Sequence, residues 1–173
     1  MIKNKSFTLI EVIIAISIFT LMVGASFILI QQTVNAVSLA SSKLVAYYLA
    51  QEGIEIVRNF RDNNWLKQRA DNSVKWNAGL AEGAWEVDYN DDALVGYGEA
   101  GRYLYIDTTD GFYLYYPDVP ISNYAKTKFK RKITISPGAD SNDIYVELNV
   151  EWTERTKTYN VKVTEHFFNW YGI

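Results

Sequence analysis

The chain has 173 residues, enough for one domain with an appended helix, and its net charge of −3 gives no support for a nucleic-acid-binding surface. With no cysteine and a single histidine, a disulfide framework, a typical zinc site and an imidazole-based triad have no raw material. Hydrophobic residues make up 49 % of the chain but are unevenly spread, describing an apolar N-terminal rod followed by a soluble domain rich in Tyr and Trp.

From Phe7 to Ile30 the only charge is Glu11. Roughly 20 helical residues cross the hydrocarbon core of a bilayer, and this run is long enough. A cleavable secretory signal has an apolar region of about 7–15 residues. The present run exceeds that, although Ser38-Leu-Ala40 is a passable cleavage pattern. A core helix of a soluble protein is disfavoured because the run is apolar on every face. Lys3 and Lys5 precede the segment and the next positive charge is Lys43, which places the N-terminus in the cytoplasm and residues 31–173 outside a single span.

No proline follows until Pro117, so the helix is expected to continue over residues 31–61. Leu49, Gly53, Ile56 and Phe60 recur at helical spacing, with Val45 and Tyr48 beside them, and form a stripe for packing on a sheet. One helix from about Phe7 to Phe60 is roughly 80 Å long at 1.5 Å per residue. Gly53 on the packing face permits close approach, or marks a weak point costing about 1 kcal/mol relative to Ala.

Residues 62–84 lack periodicity and read as an irregular connection, pinned by Trp65 and Trp76, at the start of a globular region, 62–173. Alternation then puts Trp85, Val87 and Tyr89 on one face and Glu86 and Asp88 on the other. Arg102–Asp107 and Phe112–Tyr116 flank Thr109-Asp110-Gly111 and read as a hairpin. Phe129, Ile133 and Ile135 share a face; Val146, Leu148, Val150 and Trp152 alternate with Tyr145, Glu147, Asn149 and Glu151; Tyr159, Val161, Val163 and Phe167 repeat the pattern. Three long antiparallel strands with turns at 137–143 and 153–157 predict an α+β fold, with the sheet covering the amphipathic half of the helix.

The stretch K-S-F-T-L-I-E-V at residues 5–12, followed by I-I-A-I-S-I-F-T-L, resembles the N-terminal processing motif of type IV prepilins and pseudopilins. The resemblance implies the pilin fold and a leader peptide, Met1–Ser6, cut at the Ser6–Phe7 bond by a prepilin peptidase that also methylates the new amino group of Phe7. It makes Glu11 the fifth residue of the mature chain. Ser6 stands where the family usually has Gly, and Ile28 where many major pilins carry a helix-kinking proline. A looser resemblance, through L-A-Q-E-G-I-E (49–55), R-N-F-R (58–61), F-K-R-K-I-T-I, V-E-L-N-V-E-W and F-F-N-W, is to V-type minor pilins and I-type pseudopilins. The implied partners are other pilin subunits, bundled through their N-terminal helices, and an assembly platform with its ATPase. The implied location is the cytoplasmic membrane, then an extracellular pilus or an envelope pseudopilus. Cleavage creates a cation at Phe7, and helix bundling brings a neighbour's cation to Glu11. Two charges costly in an apolar bundle then offset each other and fix an axial register, as one buried polar group does in a coiled coil. Position near the lipid headgroups is the bland alternative for Glu11.

Lys126, Lys128, Lys130 and Lys132 alternate along one strand, forming either a basic groove or a solvated face that discourages edge pairing. Arg131 falls on the apolar side and is expected to have a carboxylate partner or an edge position. Asp88, Asn90, Asp91 and Asp92 offer oxygens for calcium but lack EF-hand spacing, and a polar turn explains them better. No metal, no cofactor and no enzymatic activity are expected. A rival reading is a signal-anchored extracellular module that forms no filament and uses its aromatics to bind carbohydrates or surfaces.

Overall fold

Leu9 to Ala70 forms one continuous helix, α1, in a computed structural model that describes residues 8–98, 101–115 and 123–170. Lys3, Lys5, Ser6 and Phe7 lie outside the described residues. The chain divides into two units, Met1–Ser42 and Lys43–Ile173.

In the first unit α1 is exposed over nearly its whole length, large apolar side chains included: Leu9 is 78 % and Leu21 75 % accessible. It is the one helix among the described residues long and apolar enough to cross a membrane, and none of its apolar window is buried. The hydroxyls in this stretch turn inward on their own helix. Ser17 Oγ donates to the Ile13 carbonyl at 2.8 Å, Thr20 to Ser17 at 2.9 Å, Ser26 to Met22 at 2.9 Å and Thr33 to Leu29 at 2.9 Å. Donors satisfied locally remove most of the penalty for placing hydroxyls where no water reaches.

The second unit holds the rest of α1 and seven antiparallel strands: β1 (Gly83–Glu86), β2 (Val95–Gly96), β3 (Tyr103–Asp107), β4 (Tyr113–Tyr115), β5 (Tyr124–Pro137), β6 (Asp143–Glu154) and β7 (Lys157–Phe168). β5 is the spine of the sheet. Along one side it pairs with β6, and β6 with β7. On its other side its first half pairs with β3 and its second half with β1; β4 and β2 extend these. The α+β class is as expected, and the β3–β4 pair closes the hairpin around Asp110 and Gly111. The tight β6–β7 turn carries Arg155 at φ 58°.

Period-two alternation places Phe129, Ile133, Ile135, Val146, Leu148, Val150, Trp152, Val161 and Phe167 inward, all buried. Against this face α1 lays Ala46, Leu49, Ala50, Ile54 and Val57, each no more than 3 % accessible. Burying a Leu, Ile or Val side chain contributes roughly 1.5–3 kcal/mol, so this contact dominates the stability of the unit. Leu49 and Gly53 are in the contact, while Ile56 and Phe60 are only half-buried; the deepest positions are offset toward Ala50, Ile54 and Val57. At Gly53 an added Cβ would overlap the Leu148 side chain, so the missing side chain is a notch that receives Leu148.

Two expectations are corrected. Residues 62–70 are helical, and the irregular connection begins only after Ala70. The two asparagines that signal a loop are both engaged. Asn63 Nδ2 donates to Asn59 Oδ1 one turn back, at 2.7 Å, and the buried Asn64 donates to the carbonyls of Trp76 (3.1 Å) and Ala78 (2.7 Å). Trp65, 7 % accessible, anchors the same turn. The second correction concerns the alternation that sets Glu86 and Asp88 apart from Val87 and Tyr89: Glu86, Val87 and Asp88 are all buried, at 1 %, 0 % and 5 % accessibility, and Tyr89 is exposed. Glu86 receives Arg102 Nε at 2.6 Å and the Arg102 backbone N–H at 2.8 Å. Asp88 receives the backbone N–H groups of Asn90 (2.9 Å) and Tyr115 (2.8 Å). Carboxylates that accept several main-chain bonds are tolerated inside.

Candidate functional site

The first turn of α1 is closed by a reciprocal cap. Thr8 precedes the helix; its backbone N–H and its hydroxyl both donate to Glu11 Oε2 at 3.1 Å, and the Glu11 N–H donates to Thr8 Oγ1 at 3.3 Å. This is the capping-box arrangement, in which orphan donors at a helix start are satisfied by two side chains three residues apart. The carboxylate also sits at the positive end of the helix dipole. Glu11 therefore has a local role besides any role toward other chains. The T-x-x-E spacing before an apolar run was the available sequence signal for Thr8.

Arg131 is the largest fully buried side chain. Its guanidinium donates to the carbonyls of Leu49 on α1 (3.1 Å) and Val87 (2.5 Å), and Glu52 Oε1 lies 3.2 Å from Nη1. The expected carboxylate partner is present, while the edge position is not, because β5 has neighbours on both sides. Tyr115 O–H donates to the Arg131 carbonyl at 2.9 Å, and burial pushes that hydroxyl's pKa well above its ordinary value. Arg131 is thus a structural clamp between helix and sheet.

Elsewhere the charged groups have visible uses. Lys126 and Lys130 lie over the Tyr103 ring at 4.1 and 4.7 Å, Lys132 over Tyr97 at 5.4 Å, and Lys128 meets Glu154 at 3.3 Å. Asp88, Asn90 and Asp91 close a polar turn in which Asp91 Oδ2 accepts the Asp88 N–H at 2.9 Å. Burial raises the pKa of Asp91, and the nearby Asp88 charge adds to this. Among the described residues no three His, Asp or Glu side chains are grouped to hold a metal ion. His166 Nε2 lies 2.7 Å from Asp143 Oδ2, with the ring stacked on Tyr145 at 4.1 Å.

Residues 1–27 match the family described as the prokaryotic N-terminal methylation motif, the prepilin-type signal of type IV pilins. The match takes in the Thr8–Glu11 cap and most of the apolar half of α1, and ends at residue 27. No curated protein and no solved structure matches the chain. The signal and the unburied apolar helix together point to a membrane-anchored, prepilin-like chain.

Proposed function

We propose that this chain is a minor type IV pilin or pseudopilin, a structural subunit rather than an enzyme, drawn into a filament through its N-terminal helix. The observation that carries the reading is the coincidence of the methylation motif over residues 1–27 with a helix whose apolar surface is left uncovered. A prepilin peptidase cuts Ser6–Phe7 and methylates the amine of Phe7; Lys3 and Lys5 hold the leader on the cytoplasmic side. The soluble unit stands outside the membrane. An assembly platform and its ATPase then extract the subunit and lay its apolar helix against those of its neighbours, where burial of apolar surface replaces lipid contact.

In this reading Glu11 exchanges partners. Before docking its Oε2 accepts from the Thr8 backbone and hydroxyl. In the bundle it meets the N-methylated Phe7 of a neighbour, an ion pair in low dielectric that selects one axial register. The test is to determine the N-terminus of the protein in sheared filament fractions by mass spectrometry. A chain starting at N-methyl-Phe7 is expected. A chain starting at Met1 and remaining in the membrane fraction overturns the reading in favour of an anchored binding module.

A further inference from the structure

A cavity of about 570 Å³ opens in the soluble unit between α1 and the loops on either side of β1. Its size falls in the range of ligand pockets, about 300–1,000 Å³. The helix side presents Asn59 and Asn63, and the loop side presents Tyr89, Asp91 and Asp92. The buried Asn64 ties the helix wall to the loop before β1 by donating to the Trp76 and Ala78 carbonyls, next to the lining residue Gly79.

The polar groups left over are an amide donor, an amide acceptor and two carboxylates, with Lys67 also in the lining. The bond from Asn63 Nδ2 to Asn59 Oδ1 leaves Asn63 Oδ1 as an acceptor and Asn59 Nδ2 as a donor, neither with another partner among the described residues. Across from them, Asp91 is oriented by accepting the Asp88 N–H through Oδ2, and Asp92 is exposed. Tyr89 is 44 % accessible, and Phe112, with ring centroids 5.1 Å apart, steadies its ring.

We propose that this cleft binds a neutral saccharide of one or two rings. Sugar hydroxyls are donor and acceptor at once, and planar amides and carboxylates engage such groups in pairs. An aromatic face beside them suits the C–H side of a pyranose, which is apolar. A purely apolar ligand would strand the amides and carboxylates without partners. An anionic ligand would meet Asp91 and Asp92 against Lys67 alone. The inference goes beyond the filament-subunit reading and does not depend on it.

The experiment uses the full chain in a zwitterionic detergent without sugar headgroups. It is titrated with methyl glycosides of glucose, galactose, mannose and N-acetylglucosamine, and with lactose and cellobiose, by calorimetry and ligand-observed NMR. Saturable binding of at least one is expected, weakened about tenfold or more by Asn63→Ala and by Tyr89→Ala, and unchanged by Lys126→Ala outside the cleft. Asp92→Ala, at an exposed position, supplies a third variant if circular dichroism shows either of the first two to be misfolded. No saturable binding of any of these neutral glycosides, or binding indifferent to the cleft substitutions, overturns the proposal.

Discussion

Arg131 on β5 and Glu52 on α1 meet at 3.2 Å, the arginine side chain fully enclosed and the glutamate one-third exposed. Among the described residues Glu52 Oε1 and Arg131 Nε have no hydrogen-bond partner, so the pair is a charge contact beside two directed bonds to carbonyls. Arg131→Ala removes the donor to the Leu49 and Val87 carbonyls, leaves a cavity, and is expected to cost roughly 3–5 kcal/mol. Glu52→Gln keeps both carbonyl bonds and costs about 1–3 kcal/mol. Arg131→Met, which fills the space, falls between the two. Chemical denaturation of the detergent-solubilised chain, followed by tryptophan fluorescence, checks the ranking.

Gly53→Ala sets two effects against each other. Helix propensity favours Ala by about 1 kcal/mol. Overlap with Leu148 opposes it, and overpacking of a filled core costs typically 1–3 kcal/mol. Net destabilisation is expected, reduced when Leu148→Ala is made in the same chain. A double-mutant cycle reads the coupling.

Asn64→Ala removes both bonds that tie the last turns of α1 to residues 76–78. A loss of about 1–3 kcal/mol is expected, because the two carbonyls lose their donor. Amide hydrogen exchange is expected to rise first in residues 71–80.

Asp143 gives the second unit an acid-sensitive contact. The Asp140 backbone N–H, donated to Asp143 Oδ1 at 3.0 Å, and then the Ala139 N–H and His166 hold its carboxyl pKa below the ordinary value. A carboxyl depressed in the folded state contributes stability above its unfolded pKa, about 3.9, and loses it as pH falls through the lower folded value. Asp143→Asn is therefore expected to lower the melting temperature at pH 6–7, about two or three units above that range, and to flatten its fall below about pH 4. Melting curves across pH for both chains test this.

Glu11→Ala is expected to leave leader removal intact and to abolish incorporation into filaments, measured by immunoblotting of processed protein in whole-cell and sheared fractions. Thr8→Val, which removes one partner of the cap, is expected to cost about 1 kcal/mol at the helix start while retaining the carboxylate, and so to assemble in reduced amount. Normal assembly of Glu11→Ala removes the pairing role assigned to that carboxylate.

How much was legible depended on how far away the partners lie. The alternation from Val146 to Trp152 reads directly because one face is buried and each step flips the side chain. The carboxylate partner of Arg131 was also foreseeable, because an arginine among Phe129 and Ile133 needs one. Its carbonyl partners, 82 and 44 residues away in sequence, were not. Glu86 and Asp88 look like the solvent side of a strand until Arg102 and Tyr115, 16 and 27 residues on, are brought to them. The turn from Asn63 to Trp65 fails as a loop for the same reason, since the contacts that make it helical are mostly tertiary. At the N-terminus everything needed for the cap, Thr8 and Glu11 at T-x-x-E spacing, lies within four residues.

Leu148 seated in the Gly53 notch has a mechanical consequence. Apolar surfaces in contact can slide, because their attraction is non-directional. A side chain lodged in a gap, with Arg131 gripping the Leu49 carbonyl one turn away, cannot be displaced along the axis without climbing over a backbone. Tension applied to α1 therefore enters the sheet at two points, through Arg131 on β5 and through Leu148 on β6.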